Sequence, residues 1–126
     1  MKSQGTPERI ALFDRAFPTP TPIDGQEAFS FKPSEEQVEF IERKLKVFLD
    51  GKHPKLAEKY HTYYRQYSGV RWGTHKTIRA NFLCRVTGDR WRKEWQLVLD
   101  GGDCYFTFSG NASTGEITDF SINGEA

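Results

Sequence analysis

Few side chains in this 126-residue chain are of a type and at a spacing that could do covalent or acid–base chemistry. His61 and His75 titrate near neutral pH. His61 falls beside the apolar stripe of its segment and His75 starts a strand-like run, so both are expected at the surface. Asp119 is expected on the outer face of the last strand, opposite Thr107, where only a one-residue bulge would turn it inward. The run Asp100-Gly101-Gly102-Asp103 offers two carboxylates, short of the roughly 6–8 oxygens a calcium ion takes, and reads as a tight turn. Cys84 and Cys104 are not spaced for zinc. No phosphate-loop, nucleotide, Ser-His-Asp or paired-histidine pattern occurs. No catalytic residue, metal or cofactor is expected.

Binding chemistry is better represented. From Lys52 to Trp95 eleven Lys and Arg stand against three acids, whereas residues 1–51 hold seven bases and nine acids and residues 96–126 five acids and no base. The formal net charge of +1 therefore hides a basic middle. Within it Arg85, Arg90 and Arg92, with Lys93 beside them, are the candidate anion-binding group, for phosphate, nucleic acid or an acidic protein surface. The same region is rich in tyrosine and tryptophan. Rings with a hydroxyl or N–H handle suit a small planar ligand, and Tyr60, Tyr64, Trp72, Phe82, Trp95 and Phe106 are the candidate walls of an aromatic pocket.

The elements that must position these residues follow from pattern. Residues 1–27 read as a short helix opened by Thr6 and Pro7, with Ile10, Phe13 and Phe17 at helical spacing. The extended Thr-Pro connector from Phe17 to Gly25 follows it. Residues 28–126 read as a single domain. Phe29 and Phe31 alternate in a short strand over Ala28–Lys32. Ser34 and Gln37 form a capping box with Glu35 and Glu36 in the first turn, which predicts a helix over Glu35–Asp50 stopped by Gly51. Its buried stripe is Val38, Ile41, Leu45, Phe48 and Leu49. Pro54 opens a second helix running to about Tyr67, with Leu56, Tyr60, Tyr63, Tyr64 and Tyr67 on one face and Gly69 as its end.

Beyond Gly69 the period becomes two. A tight turn at Gly88-Asp89 pairs Val86 with Trp91, Cys84 with Lys93, Phe82 with Trp95, Ala80 with Leu97 and Ile78 with Leu99. A second turn at Gly101-Gly102 pairs Leu99 with Cys104, Leu97 with Phe106 and Trp95 with Phe108, and a return loop over residues 111–115 brings Phe106 opposite Phe120. All three hairpins agree on one apolar face. This register sets Arg85 directly opposite Arg92 on the outer face and puts Lys93 on the inner face near the edge, its stem packed and its ammonium in water. It also sets Cys84 and Cys104 roughly 20 Å apart along the sheet, so no disulfide between them is expected.

The fold class is therefore α+β: a curved four- to five-stranded antiparallel meander packed on two helices. The element order over residues 28–124 resembles the cystatin-like and NTF2-like superfold, in which a curved sheet wraps around helices. That superfold hosts isomerases, dehydratases, transport and assembly factors and inhibitors, so the resemblance implies little about function. The wedge motifs of cystatins are absent, and protease inhibition is not implied. The function expected is a noncatalytic binding or assembly domain. The alternatives are an anion or nucleic-acid binder using Arg85, Arg90 and Arg92, and an isomerase- or dehydratase-like enzyme with the aromatic pocket. A protein partner or a second copy is expected ahead of nucleic acid, with outward Leu83, Val98 and Tyr105 as the apolar patch for homodimerisation. With no leader-like stretch and no apolar run of roughly 18 residues, the location expected is cytoplasmic, with no membrane partner.

Overall fold

The computed structural model of the chain describes residues 9–98 and 102–123. The elements are β1 (Ile10–Leu12), β2 (Ala28–Phe31), α1 (Glu35–Lys52), α2 (Pro54–Lys59), β3 (Tyr64–Trp72), β4 (His75–Leu83), β5 (Tyr105–Asn111) and β6 (Ile117–Ile122). The sheet runs β3-β4-β5-β6 as an antiparallel meander, and both β1 and β2 pair with the free edge of β3, β1 parallel to it and β2 antiparallel. This is the α+β architecture expected, built in part from different strands. No helix among the described residues is long and apolar enough to cross a membrane.

Helix α1 forms where its capping chemistry placed it. The Ser34 hydroxyl accepts from the Gln37 N–H (3.1 Å) and the Gln37 side chain accepts from the Ser34 N–H (2.9 Å), so two orphan donors of the first turn are satisfied reciprocally. The helix runs through Gly51 to Lys52 and ends at His53, two residues beyond the expected stop. Its buried stripe is Val38, Ile41, Leu45 and Leu49, with Glu42 among them. That face packs on Tyr63, Tyr67, Ile78, Ala80, Phe82, Phe106 and Phe108 of the sheet.

Three of the expected elements do not form as expected, and two pairings change with them. The N-terminal helix does not form over Ile10–Leu12, which is strand β1; Thr6 and Pro7 lie outside the described residues. The second helix begins at Pro54 but ends at Lys59, and one 3₁₀ turn later the chain enters β3. Tyr63 and Tyr67 are four apart and so fit a helical period and a strand period equally. The strand reading wins because Arg65 lies between them on the same face, while Tyr64, Gln66 and Ser68 face the other way. The turn that was missed is Gly73-Thr74, where Gly73 takes a φ of +60° and joins Trp72 to His75 across the β3–β4 hairpin.

The third failure is the strand expected over residues 90–99. Phe82 pairs with Phe106, not Trp95, and Leu83 pairs with Tyr105. The Phe82 and Phe106 rings stack at 4.6 Å, so β4 and β5 are immediate neighbours and residues 84–104 form an excursion. Arg90–Arg92 coil into a 3₁₀ turn, with the Glu94 N–H donating to the Arg90 carbonyl and an ion pair joining the same two side chains. The like-charged Arg85–Arg92 pair and the inward Lys93 of the expected hairpin are thereby avoided. Cys84 falls next to Cys104 in the β4–β5 register, and the two form a disulfide with Cα atoms 4.9 Å apart. The expectation of no bond is overturned along with the register that produced it. The turn expected at Gly101 lies outside the described residues. At the far edge, Phe106 faces Ile122, not Phe120, because the β5–β6 ladder shifts between Thr107 and Ser109 and Asp119 adopts a φ of +55°.

One ionic group is sealed inside. Arg65, with no exposure, donates to both oxygens of Glu42 (3.0 and 3.1 Å) and to the Tyr63 carbonyl (3.1 Å), and the Tyr67 hydroxyl donates to Glu42 at 2.6 Å. Desolvation is the largest influence on Glu42 and raises its pKa, while Arg65 and Tyr67 pull it back down. Tyr60, also buried, is pushed up to about 12, by desolvation first and the nearby Glu42 charge second. Its hydroxyl has no hydrogen-bond partner among the described residues.

These environments separate two conservative substitutions. Tyr60→Phe removes a hydroxyl that bonds to nothing, and its urea denaturation midpoint near neutral pH should equal or exceed that of the parent. Tyr67→Phe strips a hydrogen bond from a buried carboxylate and should cost about 1–3 kcal/mol. Because the folded-state pKa of Tyr60 lies above its ordinary value of 10.0, its contribution is fully present below pH 10 and is lost as pH rises toward 12. Denaturation curves across that window should fall less steeply for Tyr60→Phe; a parallel fall would show that Tyr60 is not buried as described.

Candidate binding site

Helices cover one face of the sheet, and the chain itself covers much of the other. Tyr64, Gln66 and Ser68 of β3, Arg79, Asn81 and Leu83 of β4, and Tyr105, Thr107 and Ser109 of β5 share this outer face through their pairing. At its centre Gln66 and Asn81 are buried amides, and they hold the excursion by its backbone. The Gln66 Nε2 donates to the carbonyls of Trp91 (2.6 Å) and Glu94 (2.7 Å), and its Oε1 accepts from the Gln96 N–H (2.9 Å) and from Asn81 (2.8 Å). Asn81 donates in turn to the Gln96 carbonyl at 2.7 Å. Leu83, Trp91 and Ala11 make a small second core there, with Tyr64, Val86, Val98 and Tyr105 packed against it. Of the three residues expected to drive homodimerisation, Leu83 is covered by the protein's own loop and only 1 % exposed, while Val98 and Tyr105 are half-buried.

The excursion is tethered at its neck. The Cys84–Cys104 disulfide and the bond from the Cys84 N–H to the Cys104 carbonyl (2.8 Å) hold its ends together. Its basic residues are distributed over the resulting loop, not aligned across a hairpin. Arg85 and Arg90 line a cleft of about 310 Å³ whose wall includes Leu83, Val86, Val98 and Tyr105 and, among the described residues, no acidic side chain. Arg90 also pairs with Glu94 at 3.3 Å, where both side chains are mostly exposed. On the other side of Val86 a cleft of about 500 Å³ is lined by Arg92, Arg9 and Asp89. There Arg92 lies over the Trp91 ring (4.6 Å) and Arg9 over Tyr64 (4.7 Å), and the two rings meet edge to face at 5.1 Å. Lys93 is exposed on the loop and has no inner-face position to snorkel from.

The six candidate pocket residues are not gathered around one space. Tyr60, Phe82 and Phe106 are in the main core, each 1 % exposed or less. Tyr64 belongs to the second core on the opposite face. Trp72 ends β3, its Nε1 donating to the Thr21 carbonyl (3.0 Å) and so pinning the Thr-Pro connector as a strap. Trp95 sits on the excursion, edge-on to Phe13 at 5.7 Å. His61 and His75 are exposed, as expected. Asp119 sits at a bulge, but the extra residue keeps it on the outer face instead of turning it inward. Among the described residues no cluster of His, Cys, Asp or Glu could hold a metal ion.

Sequence reasoning missed Glu42, Arg65, Gln66 and Asn81. Only Glu42 carried a signal: it is four residues after Val38 and three before Leu45, inside the apolar stripe. No protein-family model matches the chain, and neither a curated protein nor a solved structure matches it.

The tether makes the loop separable from the rest of the fold. Closing a loop of this length is worth about 3 kcal/mol in chain entropy. Replacing both Cys84 and Cys104 by Ser should lower stability by about that amount and speed amide exchange in residues 85–98 with little change in α1. Uniform acceleration across the whole chain would mean that the loop and the main core open together.

Proposed function

We propose that this protein is a noncatalytic binding domain that grips an acidic protein surface with the disulfide-tethered loop. The observation that carries this reading is the cleft where Arg85 and Arg90 rise over an apolar wall of Leu83, Val86, Val98 and Tyr105, with no acid among the described residues of its lining. Such a cleft offers carboxylates two guanidiniums and offers a neighbouring side chain a dry contact. The Arg90–Glu94 pair is solvent-exposed and therefore weak, so it yields readily to a better-placed anion. A nucleic-acid reading has less support: stacking requires exposed rings beside the charges, and Trp91 is 3 % exposed. The disulfide favours an oxidising compartment over the cytoplasm.

The test uses poly-L-glutamate as a surrogate acidic partner, followed by fluorescence anisotropy over a salt series. Binding should weaken as salt rises, and Arg85→Ala with Arg90→Ala should reduce affinity about tenfold or more, the loss of one or two charge-assisted hydrogen bonds. Duplex DNA of matched charge, bound more tightly than polyglutamate, would turn the reading toward nucleic acid. Binding indifferent to the two arginines would end it.

A further inference from the structure

A third cleft, of about 240 Å³, opens on the outer face of the sheet, with neither Arg85 nor Arg90 in its lining. Its walls come from segments far apart in sequence: Phe17 from the strap on one side, Trp95 and Leu97 from the excursion on the other. Phe17 is 46 % and Leu97 70 % exposed, so apolar surface is left open to water on both sides. The polar lining includes Arg79, Ser109 and Asp119, with Arg79 and Ser109 directly paired across β4 and β5. Arg79 and Asp119 carry opposite charges into the same space, yet among the described residues they form no direct ion pair. They are close enough to feel each other: burial lowers the Arg79 pKa and Asp119 is the influence opposing it.

The fold fixes the Arg79 guanidinium and the backbone that carries Asp119. Arg79 donates to the Pro18 carbonyl at 2.9 Å, which ties its guanidinium to the strap wall. Asp119 is held at the bulge by a backbone φ of +55°, a conformation that Asp and Asn tolerate better than most residues. An unbridged cation and anion beside the exposed Phe17 ring and Leu97 side chain match a ligand that carries one charge of each sign and an apolar substituent. The size of the cleft lies below the roughly 300–1,000 Å³ of sites for drug-sized ligands, so that ligand is small.

We propose that this cleft binds a small zwitterion with an apolar side chain, the chemistry of a free aromatic or aliphatic amino acid. Arg79 takes the carboxylate, Asp119 takes the ammonium, and the side chain lies between Phe17, Trp95 and Leu97. The proposal does not rest on Arg85 or Arg90, neither of which lines this cleft.

The test is an NMR titration of the full chain, disulfide intact, with L-phenylalanine and L-leucine at millimolar concentration. Saturable shifts are expected at the Trp95 indole N–H and the Ser109 amide. N-acetyl-L-phenylalanine, which lacks the ammonium, and L-phenylalaninamide, which lacks the carboxylate, should each bind at least tenfold more weakly. Asp119→Asn keeps the backbone conformation and the Arg79–Pro18 contact, so it should fold normally and lose about tenfold for L-phenylalanine with little change for the N-acetyl form. Arg79→Gln should produce the complementary loss, sparing the amide. The two blocked compounds also stand in for the ends of a peptide chain, so equal or tighter binding of either would assign the cleft to a peptide terminus and overturn the proposal. Absence of any saturable shift, tighter binding of methyl glucoside, or equal binding by Asp119→Asn would overturn it as well.

Discussion

The meeting of Glu42 with Arg65 constrains the rest of this molecule. A carboxylate and a guanidinium removed from water each carry a desolvation cost of several kcal/mol, recovered only when geometry and additional hydrogen bonds are good. Here Arg65 reaches both oxygens of Glu42 and the Tyr63 carbonyl, and Tyr67 completes the carboxylate. Because Glu42 is on α1 while Arg65 and Tyr67 are on β3, the helix can neither slide nor rotate by one residue on the sheet without leaving a buried charge unmatched. Hydrophobic contacts alone would not forbid such a slip, since a stripe of Val38, Ile41, Leu45 and Leu49 packs on rings in more than one register. Close approach elsewhere agrees with this one docking. A Cβ on Gly110 would come within 2.7 Å of Ile41, so β5 too accepts the helix only in this position.

On the opposite face of β3 the next residue along, Gln66, does a different job with the same strand. It and Asn81 satisfy main-chain groups of Trp91, Glu94 and Gln96. An excursion of some twenty residues would otherwise leave backbone polar groups either unpaired or solvated away from the sheet. Strand β3 is consequently buried on both faces, with an ionic group on one side and an amide pair on the other. Its polar residues explain how one strand accepts β1, β2 and β4 as neighbours while also carrying a helix and a loop.

What the sequence made legible tracks how local the deciding physics is. The capping box of α1, its apolar stripe, the Pro54 helix start and strand β2 depend on residues a few positions apart, and all stand as expected. The hairpin at Gly88-Asp89 rested on alternation of Trp91, Lys93, Trp95 and Leu97, a local pattern with a non-local competitor in Phe106 and Phe108, which pair with β4 in its place. Two warnings were present in the expected register itself, like charges opposite each other and a lysine facing inward. Of the binding residues, Arg85 and Arg90 do share a cleft, whereas Arg92 is separated from them by the course of the loop, and the six aromatic positions scatter over two cores, a strap contact and the excursion. Period alone could not divide them, because which face a ring occupies depends on strand pairing settled far away in sequence.

The two faces also differ in what they leave available. On the helix side, specificity is written in side chains: Glu42, Arg65 and Tyr67 are consumed by the fold and have no surface to offer a partner. On the outer side the amides of Gln66 and Asn81 grip carbonyls and one N–H of the excursion, so beyond Trp91, Val86 and Val98, which pack in the second core, the fold there makes little use of the loop's side chains. Arg85, Lys93 and Leu97 can therefore serve recognition without a cost to folding, and the tether at Cys84–Cys104 keeps them presented on a rigid base, the arrangement that loops carrying function generally require. A binding surface is expected to arise where a scaffold holds its loop by backbone and a few buried anchors, here Trp91 and the Cys84–Cys104 bond, and leaves the other side chains free, and that condition is met on the outer face of β3 and β4.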